Sequence, residues 1–111
     1  MTDEKSKSEI QRLNDLLRCK GQGGRIMMTS GIHSLGSAQA AQILKAVASF
    51  DAFNGDNDPH GEHDCAVQKI DGRKIIWKID YYDPSLRYHS EDPADPSKTC
   101  RVLTVMLAHE Y

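Results

Sequence analysis

The sequence predicts an α+β fold: two helices packed on one face of a mainly antiparallel four-stranded sheet, in the order α-β-α-β-β-β. Three observations carry that expectation. Apolar residues recur at helical spacing in two segments, Ile10 to Leu17 and Ala40 to Phe50. Four short segments rich in Ile, Val, Met and aromatic residues read as strands, and the last three follow one another without a helix between them. The chain has 111 residues, enough for one core and too few for two. A single domain over residues 1–111 follows, with the polar residues 1–6 expected to be disordered.

The first helix should start at a capping box formed by Ser6 and Glu9. Ile10, Leu13, Leu16 and Leu17 mark its apolar face, and Gly21-Gln22-Gly23-Gly24 stops it. Arg25 to Thr29 is short and apolar and reads as a buried strand. Ser30-Gly31 turns the chain. A second helix begins near Ser34 to Ser37 and aligns Ala40, Ile43, Leu44, Val47 and Phe50, with Gln42 and Lys45 turned away. Residues 51–64, DAFNGDNDPHGEHD, form a loop. Cys65–Ile70 and Lys74–Tyr82 are two strands joined by Asp71-Gly72, a strong hairpin signal. Ile75, Trp77, Ile79 and Tyr81 should face the core, and Ile76, Lys78, Asp80 and Tyr82 a half-polar surface. Asp83 to Lys98 carries three prolines and reads as a long loop. Arg101 to Ala108 is mostly apolar and should be a central strand.

Charge and composition exclude several classes of function. Fourteen Lys and Arg against sixteen Asp and Glu leave a net charge of −2, so a domain built to coat nucleic acid is not expected. No apolar stretch is long enough to span a membrane, and the first residues lack a secretory h-region. Cys19, Cys65 and Cys100 form an odd set without a CxxC pair, which fits free thiols in a cytoplasmic protein. The charge is uneven. Residues 46–68 contain no Lys or Arg but five acids, Asp51, Asp56, Asp58, Glu62 and Asp64.

That stretch holds the densest chemistry. His60 and His63 stand three apart among carboxylates, a donor set suited to zinc or manganese. A metal shell would draw on His60, His63, Asp58 and Asp80, with Asp83 or His89 in reserve. The plainer reading is a loop held in shape by Asx turns and His–Asp hydrogen bonds. Calcium is excluded in the EF-hand register starting at Asp56, because position twelve is Val67. Cys65 lies two residues from His63, yet its strand position reads as a small core residue rather than a thiolate nucleophile. GQGG at 21–24 is a helix stop and not a phosphate loop, since no GK[ST] follows. Among the aromatics, Trp77 and Tyr81 should fill the core while Tyr82 and Tyr88 pin the following loop. Tyr82, Arg87, Tyr88 and Tyr111 are also of the types enriched at protein interfaces.

The phrases FNGDNDPHGEHD (53–64), WKIDYYD (77–83), EDPADP (91–96) and RVLTVMLAHEY (101–111) resemble a family of small uncharacterised alphaproteobacterial proteins. The resemblance covers Leu13 to Tyr111. Its hallmark residues fall on Asn54, Asp56, Asn57, Asp58, Pro59, His60, Gly61, Glu62, His63, Asp64, Trp77, Lys78, Asp80, Tyr81, Tyr82 and Asp83. Cys65 and Cys100 are not part of it. The resemblance brings no catalytic residue. It implies a setting on plasmids and integrated elements, where small acidic proteins block restriction or CRISPR effectors by presenting acid to a basic channel.

Two functions are therefore expected in competition. The first is a protein-binding module, an inhibitor of a host nucleic-acid enzyme. It would act through Asp56, Asp58, His60, Glu62, His63, Asp64, Asp80, Tyr82, Asp83, Arg87 and Tyr88, with Asp56, Asp58 and Glu62 exposed. The second is a metal-dependent hydrolase with Asp80 or Glu62 as base.

Overall fold

A computed structural model describes residues 4–111. Helix α1 spans Glu4–Lys20. Residues 4–6 thus join its first turn instead of being disordered, because Glu4, Lys5 and Lys7 are good helix formers that extend it beyond Ser6. Residues 1–3 lie outside the described residues. Ile10, Leu13 and Leu17 are buried on the inner face of α1, together with the polar Asn14 and Arg18. Gly21, at φ +67°, ends the helix and donates its N–H to the carbonyl of Leu17 at 2.8 Å.

Strand β1 is Gly24–Met28 and strand β2 is Cys65–Ile70, with two helices between them. Where a turn was expected, residues 30–33 make a one-turn helix, α2 (Ser30–His33), which buries Ile32. Helix α3 (Ser37–Ser49) starts after Gly36 at φ +97° and buries Ala40, Ile43 and Val47; Gln42 and Lys45 are exposed. Strand β3 (Arg73–Tyr82) follows β2 through Asp71 and Gly72, both at positive φ, the backbone that a two-residue hairpin requires. Strand β4 is Cys100–Leu107, flanked by short 3₁₀ turns at Pro96–Lys98 and Ala108–Glu110.

The sheet order is β1-β4-β3-β2, so β4 is central as its composition predicts. The β2–β3 and β3–β4 pairs are antiparallel, whereas β1 pairs with β4 in parallel. The sheet is therefore mixed, and the order is α-β-α-α-β-β-β. The two helices after β1 carry the chain across the sheet before β2 begins, which rules out a β1 hairpin.

Register sets the two faces of the sheet. Met28, Val105, Trp77 and Ala66 form one row across all four strands on the helix-covered face. Trp77 is fully buried there, packed with Leu17, Ile43 and Val47, and its indole N–H donates to Gln68 Oε1 at 2.8 Å. The other face carries Met27, Thr104, Lys78 and Cys65 in register, and the buried side chains of α1, α2 and α3 cluster with the first face. Two expectations fail on this geometry. Cys65 is exposed, because Ala66 takes the inward parity of β2. The β1 strand is not buried: it is an edge, with Gly24 through Met27 exposed.

Candidate functional site

The 51–64 loop is folded around its own side chains. Asn54 Oδ1 accepts from the backbone N–H groups of Asp56 (2.8 Å) and Asn57 (3.0 Å), an Asx turn. Asp58 Oδ1 accepts from the N–H groups of Glu62 (3.1 Å) and His63 (3.2 Å) and is buried at 8% exposure. These bonds turn the chain through Gly61 (φ +67°) and His63 (φ +56°). The His63 ring stacks on Phe53 at 3.8 Å and 6°. Its Nδ1 lies 2.9 Å from Asp15 Oδ1, and its Nε2 lies 3.7 Å from Asp58 Oδ2. Gly61 and Glu62 offer their carbonyls to Gln11 and Asn14 of α1. The loop is thereby fastened to α1.

Glu62 turns inward as well. Its Oε1 accepts from the Tyr81 hydroxyl at 2.7 Å, and that hydroxyl also accepts from Asn14 Nδ2 at 2.8 Å. Asn14 Oδ1 accepts in turn from Arg101 Nε at 2.9 Å, while the Arg101 guanidinium donates to the Pro93 carbonyl and lies 5.2 Å over the Tyr81 ring. Burial lifts the Tyr81 phenol far above its usual range, and the bond to Glu62 adds to the shift. Asn14 and Arg101 were not singled out by sequence, though each interrupts an apolar stripe: Asn14 between Leu13 and Leu17, Arg101 in phase with Leu103 and Val105.

Of the three acids expected to be exposed, only Asp56 is; Asp58 is buried and Glu62 half-buried, because both carboxylates serve internal donors. The four candidate metal ligands do not converge. His60 is exposed, His63 and Asp58 are engaged as described, and Asp80 sits on the other face of the sheet 2.7 Å from Lys78 Nζ. Among the described residues no group of three or more His, Cys, Asp or Glu is placed to hold a metal ion.

The remaining candidates do meet. Asp64, Asp80, Tyr82, Arg87 and Tyr88 line one open cleft of about 350 Å³ beside the end of β3. A second hollow of about 570 Å³ adjoins it, sharing Asp64, Ile79 and Asp80 and adding Val67, Ile76 and Tyr111. Asp64 stands at the junction. Its partial burial raises the carboxyl above the ordinary range, and the nearby Glu62 and Asp58 raise it further. The hydrogen bond from Lys78 to Asp80 raises the lysine. Burial and the Asp64 charge raise the Cys65 thiol, so the neutral form is favoured over a nucleophilic thiolate.

Asp83 holds the turn that supplies the far wall, Arg87, Tyr88 and His89. Its carboxylate accepts from Ser85 Oγ (2.8 Å) and from the backbone N–H groups of Arg87 (3.1 Å) and Tyr88 (3.3 Å). Tyr82 pairs with His89 across this turn, and Leu86 sits at φ +64° within it. Against expectation Tyr88 does not pin the loop; Asp83 does, and Tyr88 stands 70% exposed at the rim.

Fold and cleft together define a small α+β domain whose α-helices pack on one face of the sheet, with a carboxylate-lined cleft at its edge. The chain belongs to the family described as a protein of unknown function, DUF3768, whose family model matches residues 28–110, about three quarters of the chain. The match begins at the last residue of β1, so α1 with Asn14 and Arg18 lies before it. No curated protein matches the chain, and no solved structure does. Among the described residues no helix is long and apolar enough to cross a membrane.

Proposed function

We propose that this protein is a protein-binding module whose contact surface is the cleft between Asp64, Asp80 and the 83–89 turn. The observation that carries the reading is the convergence of Asp64, Asp80, Tyr82, Arg87 and Tyr88 on one open cleft. The rim offers Tyr and Arg, residue types that dominate binding energy at interfaces, on a turn that Asp83 holds rigid. The floor carries two carboxylates, which suit a basic segment of the partner. This moves the acidic recognition surface from Asp58 and Glu62, which face inward, to Asp64 and Asp80. The partner class we propose is a host nucleic-acid enzyme of the restriction or CRISPR type, blocked at its basic channel. The mobile-element setting implied by the resemblance supports that finer step. The hydrolase reading lacks a metal shell among the described residues: only His63 and Asp58 of its four ligands lie together, and Asp80 is paired with Lys78.

The test is retention of host proteins on the immobilised chain, compared with Asp80→Asn and with Arg87→Ala plus Tyr88→Ala. Wild type should retain a nucleic-acid enzyme in a salt-sensitive way and slow its cleavage of DNA, and both variants should lose it. Equal retention by all three proteins would sink the reading.

A further inference from the structure

The β1 strand carries a contradiction that its own sequence exposes. Arg25-Ile26-Met27-Met28 has the composition of a strand covered by neighbours, yet Ile26 is 39% and Met27 53% exposed, on opposite faces of the sheet. Two adjacent large apolar side chains at one free edge are costly to leave in water. The strand has no proline or lysine inside it and pairs with β4 in continuous register, and Arg25 is its single charged residue.

We infer that β1 is the interface for a second copy of this chain, paired antiparallel across a two-fold axis at Ile26 to make one eight-stranded sheet. The inference is independent of the cleft, which lies at the other end of the strand order. Backbone parity supports it. Thr29 N–H donates to the Val105 carbonyl at 3.1 Å, so the N–H and C=O groups of the alternate residues Arg25 and Met27 also point toward β4. Those of Gly24, Ile26 and Met28 point out of the sheet, and among the described residues no backbone group pairs with them. With the axis at Ile26, Ile26 faces Ile26 of the second copy and Gly24 faces its Met28. Every outward group then meets a complementary one. Charge agrees with this register. Arg25 comes opposite Met27 of the other copy and not opposite another Arg25, so its stem covers the exposed methionine. The two Ile26 side chains pack on the helix side, and each Met27 is shielded on the open side.

The contact is short, so a weak dimer is expected and concentration must be varied, from about 1 to 500 µM. Sedimentation equilibrium of the full chain should show a mass rising toward twice 12.4 kDa. Ile26→Lys, and separately Met27→Glu, should return it to the monomer with unchanged far-UV circular dichroism; if one variant misfolds, the other carries the comparison. Amide exchange at Ile26 and Met28 should slow several-fold between dilute and concentrated protein, while Arg25 and Met27 stay constant. A chain that is monomeric over the whole range overturns the proposal. So does a dimer that survives both substitutions, or an extended peptide of another sequence that protects Ile26 and Met28 while the chain alone never self-associates.

Discussion

Asn14 has no exposed surface, and its amide serves three partners at once: the Glu62 carbonyl, the Tyr81 hydroxyl and Arg101 Nε. Asn14→Ala leaves the buried Arg101 Nε without its acceptor and takes a donor from the Glu62 carbonyl and the Tyr81 hydroxyl, and should cost about 2–3 kcal/mol, read from urea denaturation at pH 7. A loss under about 1 kcal/mol would mean that water replaces the amide. Glu110 works at the surface in a different way. Its carboxylate accepts from Thr29 Oγ1, Leu107 N–H (2.9 Å) and Gly31 N–H (3.0 Å), tying the last turn to α2. The Thr29 hydroxyl bond, above all, lowers this carboxyl below its usual 4.5. A depressed carboxylate stabilises above its unfolded value and loses that contribution as pH falls through the folded one. Glu110→Gln should therefore lower Tm at pH 7 and show a smaller deficit near pH 3; an equal deficit at both would remove the carboxylate from the account.

The elements depend on side chains borrowed from one another. Arg18 of α1 donates to the carbonyls of Val47 (2.7 Å), Ala48 (3.1 Å) and Phe50 (2.9 Å), closing the C-terminus of α3, and its guanidinium lies 5.2 Å over Trp77. Arg18→Lys keeps the charge but loses the Nη2 bond to Asp15 and the planar guanidinium over Trp77, so thermal melts should place it much nearer Arg18→Ala than wild type, with the alanine variant down by about 2–3 kcal/mol. Such roles also explain what the sequence can disclose. Alternation on β3 sorts Trp77 from Lys78, because a sheet has only two faces. Asp71-Gly72 marks its hairpin because few residues accept positive φ. The loop is different. Asp58 and His63 are residue types that ligate metal and equally types that cap backbone donors, and nothing in their spacing tells the two uses apart. One turn of helix at Ser30–His33 is too short for a periodicity. An apolar run such as β1 reports that cover is wanted, not whether the same chain supplies it.

At the scale of the whole molecule, β1 and β4 are the most distant neighbours: residues 24–28 pair with residues 101–105. Three strands precede β4 in the chain, and of these only β2 and β3 pair with each other. Separately made fragments 1–98 and 99–111 should thus each lack the sheet and recover near-native circular dichroism when mixed; a folded 1–98 alone would contradict the topology. The central place of β4 has a consequence for synthesis. A nascent chain stalled at residue 98 holds the helices and the β2–β3 hairpin but lacks the strand that joins β1 to that hairpin, so the core is missing Leu103 and Val105. The fold cannot be assembled piecemeal as it is translated. Completing the four-stranded sheet waits for Cys100–Leu107, the segment that bridges β1 and β3.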